Sequence, residues 1–157
     1  MNSFIYNVLS LIAIFLIINA LSVILFGSNK ACAGENYLVV HATAYHPHRR
    51  DLNELNMGLA YRQYEGDYFL SAGGYKNSIN RLSLYAGLGK DIVAYKNIRS
   101  VITLGLLSGY NTPLPIIPFV MPELVAEFED IKLIFNYSPK VGKISSAAIA
   151  LSVGFKF

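Results

Sequence analysis

The sequence predicts an all-β protein, an eight-stranded antiparallel transmembrane β-barrel that follows an N-terminal signal sequence. Its composition is 54% hydrophobic with no Trp, which is more apolar than an ordinary soluble domain. Most of the chain consists of runs that alternate in character with a period of two, as β-strands do. In these runs leucines lie opposite glycines, serines and basic residues, which indicates lipid outside the barrel and a crowded polar interior.

The N-terminal segment is predicted to be a cleaved signal peptide. Residues 4–26 are apolar enough to span a bilayer as a helix, and Ala31 and Ala33 are the small residues that signal peptidase requires before its cleavage site. Cleavage after Ala33 would remove residues 1–33 and leave the barrel as residues 34–157. The alternative is an uncleaved anchor, because no Lys or Arg begins the leader and its apolar run exceeds the usual ~7–15 residues.

Composition also narrows the ligands that we expect. Cys32 is the only cysteine, so neither an intramolecular disulfide nor a cysteine metal site is available. His46 and His48 are a weak metal signal without acidic partners at recognisable spacing, and no metal or other cofactor is predicted. The net charge of +3 comes from scattered basic residues, which argues against nucleic-acid binding.

The first strand is predicted over residues 37–46. One side of this run carries Tyr37, Val39, His41, Thr43 and Tyr45. Pro47 has no amide donor and is expected to end the strand, which makes residues 47–51 an exposed polar turn. Alternation resumes over residues 55–65 and predicts a second strand.

Residues 66–90 predict a β-hairpin whose two alternating strands meet at residues 76–80. The joint is rich in the turn-forming residue types Asn and Ser and contains the pair Asn77 and Ser78. Beyond the hairpin, residues 91–96 are predicted to form a turn, and residues 98–110 the next strand.

Residues 113–118 contain three prolines, and Pro122 follows shortly after. The segment is either a hydrophobic surface loop or a strand interrupted by prolines. We favour the strand, because Ile116, Phe119 and Val120 are unusual residues for a loop.

Two clear strands, residues 131–138 and 147–157, end the chain. The last one finishes at Phe157 after an amphipathic run, the pattern that outer-membrane barrels share and by which the outer-membrane assembly machinery is expected to bind the chain. About eight strands fit the smallest bacterial barrels, which are monomers without an open pore. A soluble lipocalin-like barrel is the alternative, but it would turn its large apolar residues inward.

With these features in place, the chain resembles the PagP family, the lipid A palmitoyltransferases of Gram-negative outer membranes. The resemblance covers most of residues 40–157. The matching stretches are residues 40–45, residues 52–54 with Gly58, residues 74–78 and 85–89, residues 113–115, and residues 136–139.

The resemblance implies that a His, an Asp and a Ser transfer a palmitoyl chain from a phospholipid donor to the acceptor lipid A. By position His41 corresponds to the histidine and Ser78 to the serine, whereas Asn77 stands where the family has Asp. Asparagine can orient an imidazole ring but cannot balance its positive charge. Asp51 or Glu54 is a possible replacement carboxylate. The family's amphipathic N-terminal helix has no counterpart, since only residues 34–36 precede the first strand.

Two functions from different classes are therefore open. The first is an acyltransferase of the PagP type, in which lipid enters through a weakly hydrogen-bonded wall near Pro115 and Pro139. The second is a non-catalytic barrel that binds a surface ligand or alters the outer membrane. In the second case His41 is a hydrogen-bonding residue of the barrel interior, and Asn77 and Ser78 only form a turn.

Overall fold

The computed structural model describes residues 34–47, 49, 51–139 and 147–157. The predicted signal peptide and its cleavage site lie outside these residues. In the described part of the chain, no helix is long and apolar enough to cross a membrane. The strands are β1 (Glu35–Tyr45), β2 (Gly58–Glu65), β3 (Tyr68–Lys76), β4 (Leu82–Tyr95), β5 (Ile98–Ser108), β6 (Ile116–Phe128), β7 (Ile131–Ser138) and β8 (Ala148–Lys156).

These eight strands close into an antiparallel barrel, because each pairs with the next and β1 pairs with β8. This confirms the predicted fold class. Tight turns at residues 66–67, 96–97 and 129–130 join the strands at one end, which also carries the start of β1 and the end of β8; we call it the turn end. The longer connections lie at the opposite end, which we call the loop end.

The outer wall of the barrel is apolar. Leu59, Leu104 and Val120 point outward and are 57%, 55% and 59% exposed. Moving apolar surface from water into an apolar environment gains roughly 25 cal/mol of free energy per Å². This outer wall therefore suits the hydrocarbon of a membrane better than water. Aromatic residues gather on the outside near the turn end, as expected where lipid meets water: Tyr61, Tyr68, Tyr95, Phe128, Phe155 and Phe157.

The interior is filled by aromatic rings beside glycines. The ring of Phe69 is fully buried, and a Cβ added to Gly89 would lie 2.0 Å from it. Likewise, a Cβ on Gly105 would lie 2.7 Å from the ring of Phe119. Glycines therefore face the interior as predicted. The space beside them is filled by the rings of Phe69 and Phe119, which the alternation of the sequence does not predict.

Charged side chains in the interior are paired. Arg62 and Glu123 form an ion pair at 2.9 Å, and the Thr103 hydroxyl donates to Glu123 at 2.6 Å. Closer to the turn end, Arg99 bridges Asp91 at 2.6 Å and Glu127 at 2.9 Å, and Lys132 lies 2.7 Å from Glu127. Pairing of this kind is what allows charges to remain inside a low-dielectric barrel.

The structure corrects the sequence-based prediction in three places. A β-bulge between His41 and Thr43 shifts the alternation of β1, so Thr43 and Tyr45 are exposed instead of sharing the inner side with His41. The predicted turn at residues 91–96 is wrong, because β4 runs on to Tyr95 and a second bulge follows Asp91. The second strand begins at Gly58 and not at residue 55.

The proline-containing segment forms β6, which confirms the predicted interrupted strand. Pro118 and Pro122 lie within β6, whereas Pro115 belongs to the preceding loop. Pairing between β6 and β7 starts only at Glu123. Residues 116–122 pair with β5, whereas Tyr137 and Ser138, the last two residues of β7, have no partner on the described part of β6. We call this boundary the β6–β7 seam.

Candidate functional site

A serine and a histidine meet at the loop end of the barrel. Ser78 lies in the turn that follows β3, and its Oγ is 2.8 Å from Nε2 of His46. His46 directly follows β1 and is 4% exposed. Simple alternation from Tyr37 would turn this ring outward, and the bulge after His41 is what turns it toward Ser78. A hydroxyl that donates to a neutral imidazole is the usual arrangement of an activated serine.

Asn77 holds the turn that presents Ser78. It is completely buried, and its Nδ2 donates to Ser83 Oγ at 3.0 Å and to the Gly109 carbonyl at 2.9 Å. Its Oδ1 accepts the backbone amides of Ile79 at 3.0 Å and Arg81 at 2.9 Å. An aspartate would accept the same two amides but would lose both donors. The two hydrogen bonds that Nδ2 donates therefore explain why asparagine suits this position better than aspartate.

His41 is not hydrogen-bonded to Ser78, and its ring is held by interior residues of other strands. Its Nδ1 lies 2.8 Å from Ser152 Oγ and its Nε2 lies 3.0 Å from the hydroxyl of Tyr85. That hydroxyl also lies 3.4 Å from Ser71 Oγ. Both ring nitrogens are therefore occupied within a hydrogen-bonded chain that links β8, β1, β4 and β3. The structure brings Ser78 together with His46, a residue whose only sequence signal is the weak metal pattern that it forms with His48.

A loop segment packs against the turn and completes the surroundings of the pair. The Asn53 amide donates to the Ser78 carbonyl at 2.8 Å, and Asn56 Nδ2 donates to the Lys76 carbonyl at 2.8 Å. Two buried atoms here, His46 Nδ1 and Asn56 Oδ1, have no hydrogen-bond partner among the described residues. Buried polar atoms normally have partners, so these two are available to a bound hydroxyl or water.

The charge state of His46 follows from its position. Burial lowers the pKa of the His46 ring, the nearby carboxylate of Glu54 opposes that shift, and Arg49 adds to it. Asp51 opposes it too, but this carboxylate is bound by Arg49 at 2.6 Å, and that contact lowers the Asp51 pKa to about 2. Glu54 and Asp51 therefore act on His46 through their charges, because His46 Nδ1 has no carboxylate partner. In the part of the chain that the structure describes, no cluster of His, Cys, Asp and Glu is suited to hold a metal ion.

The Ser78 turn is flanked by exposed apolar side chains. Leu55, Met57 and Leu82 are 63%, 53% and 55% exposed. The two prolines predicted to lie at a lipid entrance, Pro115 and Pro139, are exposed and lie just before β6 and just after β7. Both prolines therefore lie at the loop end, next to the β6–β7 seam.

No protein-family model matches the sequence, and no curated protein matches it. Among solved structures, the barrel is similar to a chain described as "De novo design of transmembrane beta-barrels". The TM-score is 0.56 at 16% sequence identity, over 83% of this chain and 100% of that chain. The likeness supports the fold class, a small transmembrane β-barrel. Function has to be argued from the site.

Proposed function

We propose that this barrel is an outer-membrane acyltransferase that moves a fatty acyl chain from a phospholipid to lipid A. The observation that carries the proposal is the Ser78–His46 hydrogen bond, placed beside lipid-facing residues at the loop end. Such a pair is the minimal apparatus for nucleophilic acyl transfer. The resemblance to the PagP family supports the same activity, although this arrangement uses His46 where the resemblance points to His41.

In the proposed reaction, His46 Nε2 removes the proton of Ser78 Oγ while the oxygen attacks the ester carbonyl of the donor. The ester bond breaks, the lysophospholipid leaves with the proton from His46, and an acyl-serine remains. His46 then takes the proton of the acceptor hydroxyl while that oxygen attacks the acyl-serine. The bond between the acyl carbon and Ser78 Oγ breaks, and His46 returns the proton to Oγ. The negative field of Glu54 favours the imidazolium that each step requires.

Lipid would reach the site through the β6–β7 seam. Pro118 and Pro122 supply no amide donors to a neighbouring strand, and Tyr137 and Ser138 of β7 have no described partner on β6. Replacing both prolines by alanine supplies donors to the seam and should slow transfer. Unchanged turnover in this variant would mean that lipid arrives by another path.

A second candidate, a non-catalytic barrel that binds a ligand or alters the envelope, is favoured by two features of the same site. The side-chain amide of Asn77 is fully used by hydrogen bonds that fasten the turn to Ser83 and Gly109, and His46 Nδ1 has no carboxylate in contact. In this case Ser78 and His46 only fasten the loop to the barrel.

Mass spectrometry of lipid A separates the two functions. The refolded protein is incubated with phospholipid and lipid A, beside a Ser78→Ala variant and a Ser100→Ala control, whose serine lies exposed on the outer wall. Acylated lipid A with the parent and the control, and none with Ser78→Ala, is the expected result. A folded parent that acylates nothing would leave the non-catalytic function.

A further inference from the structure

Two basic side chains beside Ser78 have no counter-charge. Lys76 and Arg81 flank the turn, both are exposed, and neither makes an ion pair with any described residue. Every other described Lys or Arg is engaged. Arg49, Arg62, Arg99, Lys132 and Lys156 contact carboxylates, and Lys90 and Lys96 lie over tyrosine rings. The unengaged positive charge of the described barrel is therefore concentrated at the candidate site.

The strand register sets the position of these side chains along the barrel axis. Lys76 is the last residue of β3, it is paired with Leu82, and its amide donates to the Met57 carbonyl at 2.9 Å. Both neighbours are among the lipid-facing residues of the outer wall. The Arg81 carbonyl accepts the backbone amide of Asn77, the residue after Lys76, at 2.8 Å. Both residues therefore stand at the rim of the apolar belt, where long basic side chains extend toward the polar headgroup region.

We propose that Lys76 and Arg81 together bind the phosphate of a membrane-lipid headgroup and hold that lipid against Ser78. Phosphate is the anion that membrane lipids present at this height. Arg supplies a fork of donors to two phosphate oxygens, while Lys adds a compact charge. The role of holding the lipid for reaction rests on the proposed acyl transfer. The phosphate site itself does not.

Two lipids carry this chemistry, the phospholipid donor and the phosphorylated acceptor. Among the described residues, neither side chain makes a hydrogen bond to Ser78 or to His46. Their loss should therefore weaken binding of the lipid and leave the chemical step intact, which appears as a raised KM with little change in kcat.

The test measures binding by the refolded full-length barrel carrying Ser78→Ala, so that no turnover disturbs the equilibrium. Neutral-detergent micelles contain one probe at a time: phosphatidylglycerol, diacylglycerol, diphosphorylated lipid A or dephosphorylated lipid A. The first two probes test the donor and the last two test the acceptor. The Lys76→Gln/Arg81→Gln double variant is compared with Lys90→Gln/Lys96→Gln, which removes two charges at the turn end.

A basic residue at a membrane surface attracts the negatively charged phosphate of a lipid. Removing two such residues should weaken phosphate-dependent binding roughly thirtyfold. We expect that loss in Lys76→Gln/Arg81→Gln, little change in the turn-end pair, and a smaller difference at high salt. Whichever phosphorylated probe shows it is the lipid that is held. Equal binding of phosphorylated and phosphate-free probes by the parent, or the same loss in both double variants, would overturn the proposal.

Kinetics in the protein with intact Ser78 separate this inference from the acyltransferase. Phosphate-dependent binding without any acyl transfer would support the lipid phosphate site and remove the enzymatic role. Acyl transfer with a KM that Lys76→Gln/Arg81→Gln leaves unchanged would keep the enzyme and refute the phosphate site.

Discussion

Nε2 of His46 lies 2.8 Å from Oγ of Ser78, and a single inserted residue in β1 makes the contact possible. The bulge after His41 reverses the inward and outward sides of the strand for the residues that follow. Bulges commonly occur at barrel rims and beside active sites, where they redirect a side chain. The chain thus offers two histidines, His41 on β1, which is hydrogen-bonded inside the barrel, and His46 directly after β1, which faces Ser78.

The first prediction separates these two histidines. His46→Gln should lower the acyl-transfer rate by about 10²–10⁴, the usual contribution of a general base. His41→Gln should retain most of the rate, because glutamine can still hydrogen-bond to Ser152. Transfer is measured by mass spectrometry of lipid A, with the gel mobility of unheated samples as a check of folding. A larger loss of rate in His41→Gln than in His46→Gln would identify His41 as the general base.

The pH dependence should follow the lowered pKa of His46. Since burial favours the neutral ring in the folded state, the associated stability is complete above the unfolded value of about 6.5 and declines as the pH falls below it. The transfer rate should decline only at lower pH, as the folded ring itself becomes protonated. Urea unfolding in micelles and rates between neutral and acid pH measure the two effects. His46→Gln is the control, and an identical pH profile in this variant would exclude His46 as the titrating group.

Asn77→Asp should lower stability and transfer together. The resemblance alone would anticipate a faster enzyme, because the family has Asp here. The structure argues the opposite, since the new carboxylate would face the Gly109 carbonyl and lose both hydrogen bonds that Nδ2 donates. Leaving such buried groups unsatisfied costs about 1–3 kcal/mol each. Asn97→Asp, at an exposed turn, is the matched control, and faster transfer by Asn77→Asp would support a carboxylate role at this position.

The strands of this barrel could be predicted from the sequence, but the arrangement of the candidate site could not. Alternation identified the strands and the barrel because each inner or outer position is a local property of the chain. The site depends on features that alternation does not encode. The bulge inserts one residue without a composition signal, and the Gly109 carbonyl that fixes Asn77 comes from a loop 32 residues away. The only sequence feature that singles out His46 is its closeness to His48 in the chain.

Gly89→Ala should destabilise the barrel. A Cβ at this position would lie 2.0 Å from the ring of Phe69, which is completely buried and has no space in which to move. Forcing extra volume into a packed interior typically costs about 1–3 kcal/mol. Gly154→Ala is the control, because its nearest contact would be 3.5 Å. Unfolding by urea in micelles should show a lower midpoint for Gly89→Ala only, and equal midpoints would mean that the interior is loosely packed.

The last prediction concerns the buried ion pair of Arg62 and Glu123. Both side chains are almost fully buried, and the Thr103 hydroxyl also donates to Glu123. Removing one partner leaves the other charge without compensation inside the barrel, so Glu123→Gln or Arg62→Met alone should destabilise by about 3–5 kcal/mol. The double variant should lose much less than the sum of the two, because no lone charge remains. A double-mutant cycle of urea unfolding measures the coupling, with Lys156→Met and Glu35→Gln at the exposed pair as the reference, where the coupling should stay within about 1 kcal/mol. Additive losses at Arg62 and Glu123 would show that the two charges are solvated separately and that water enters the centre of the barrel.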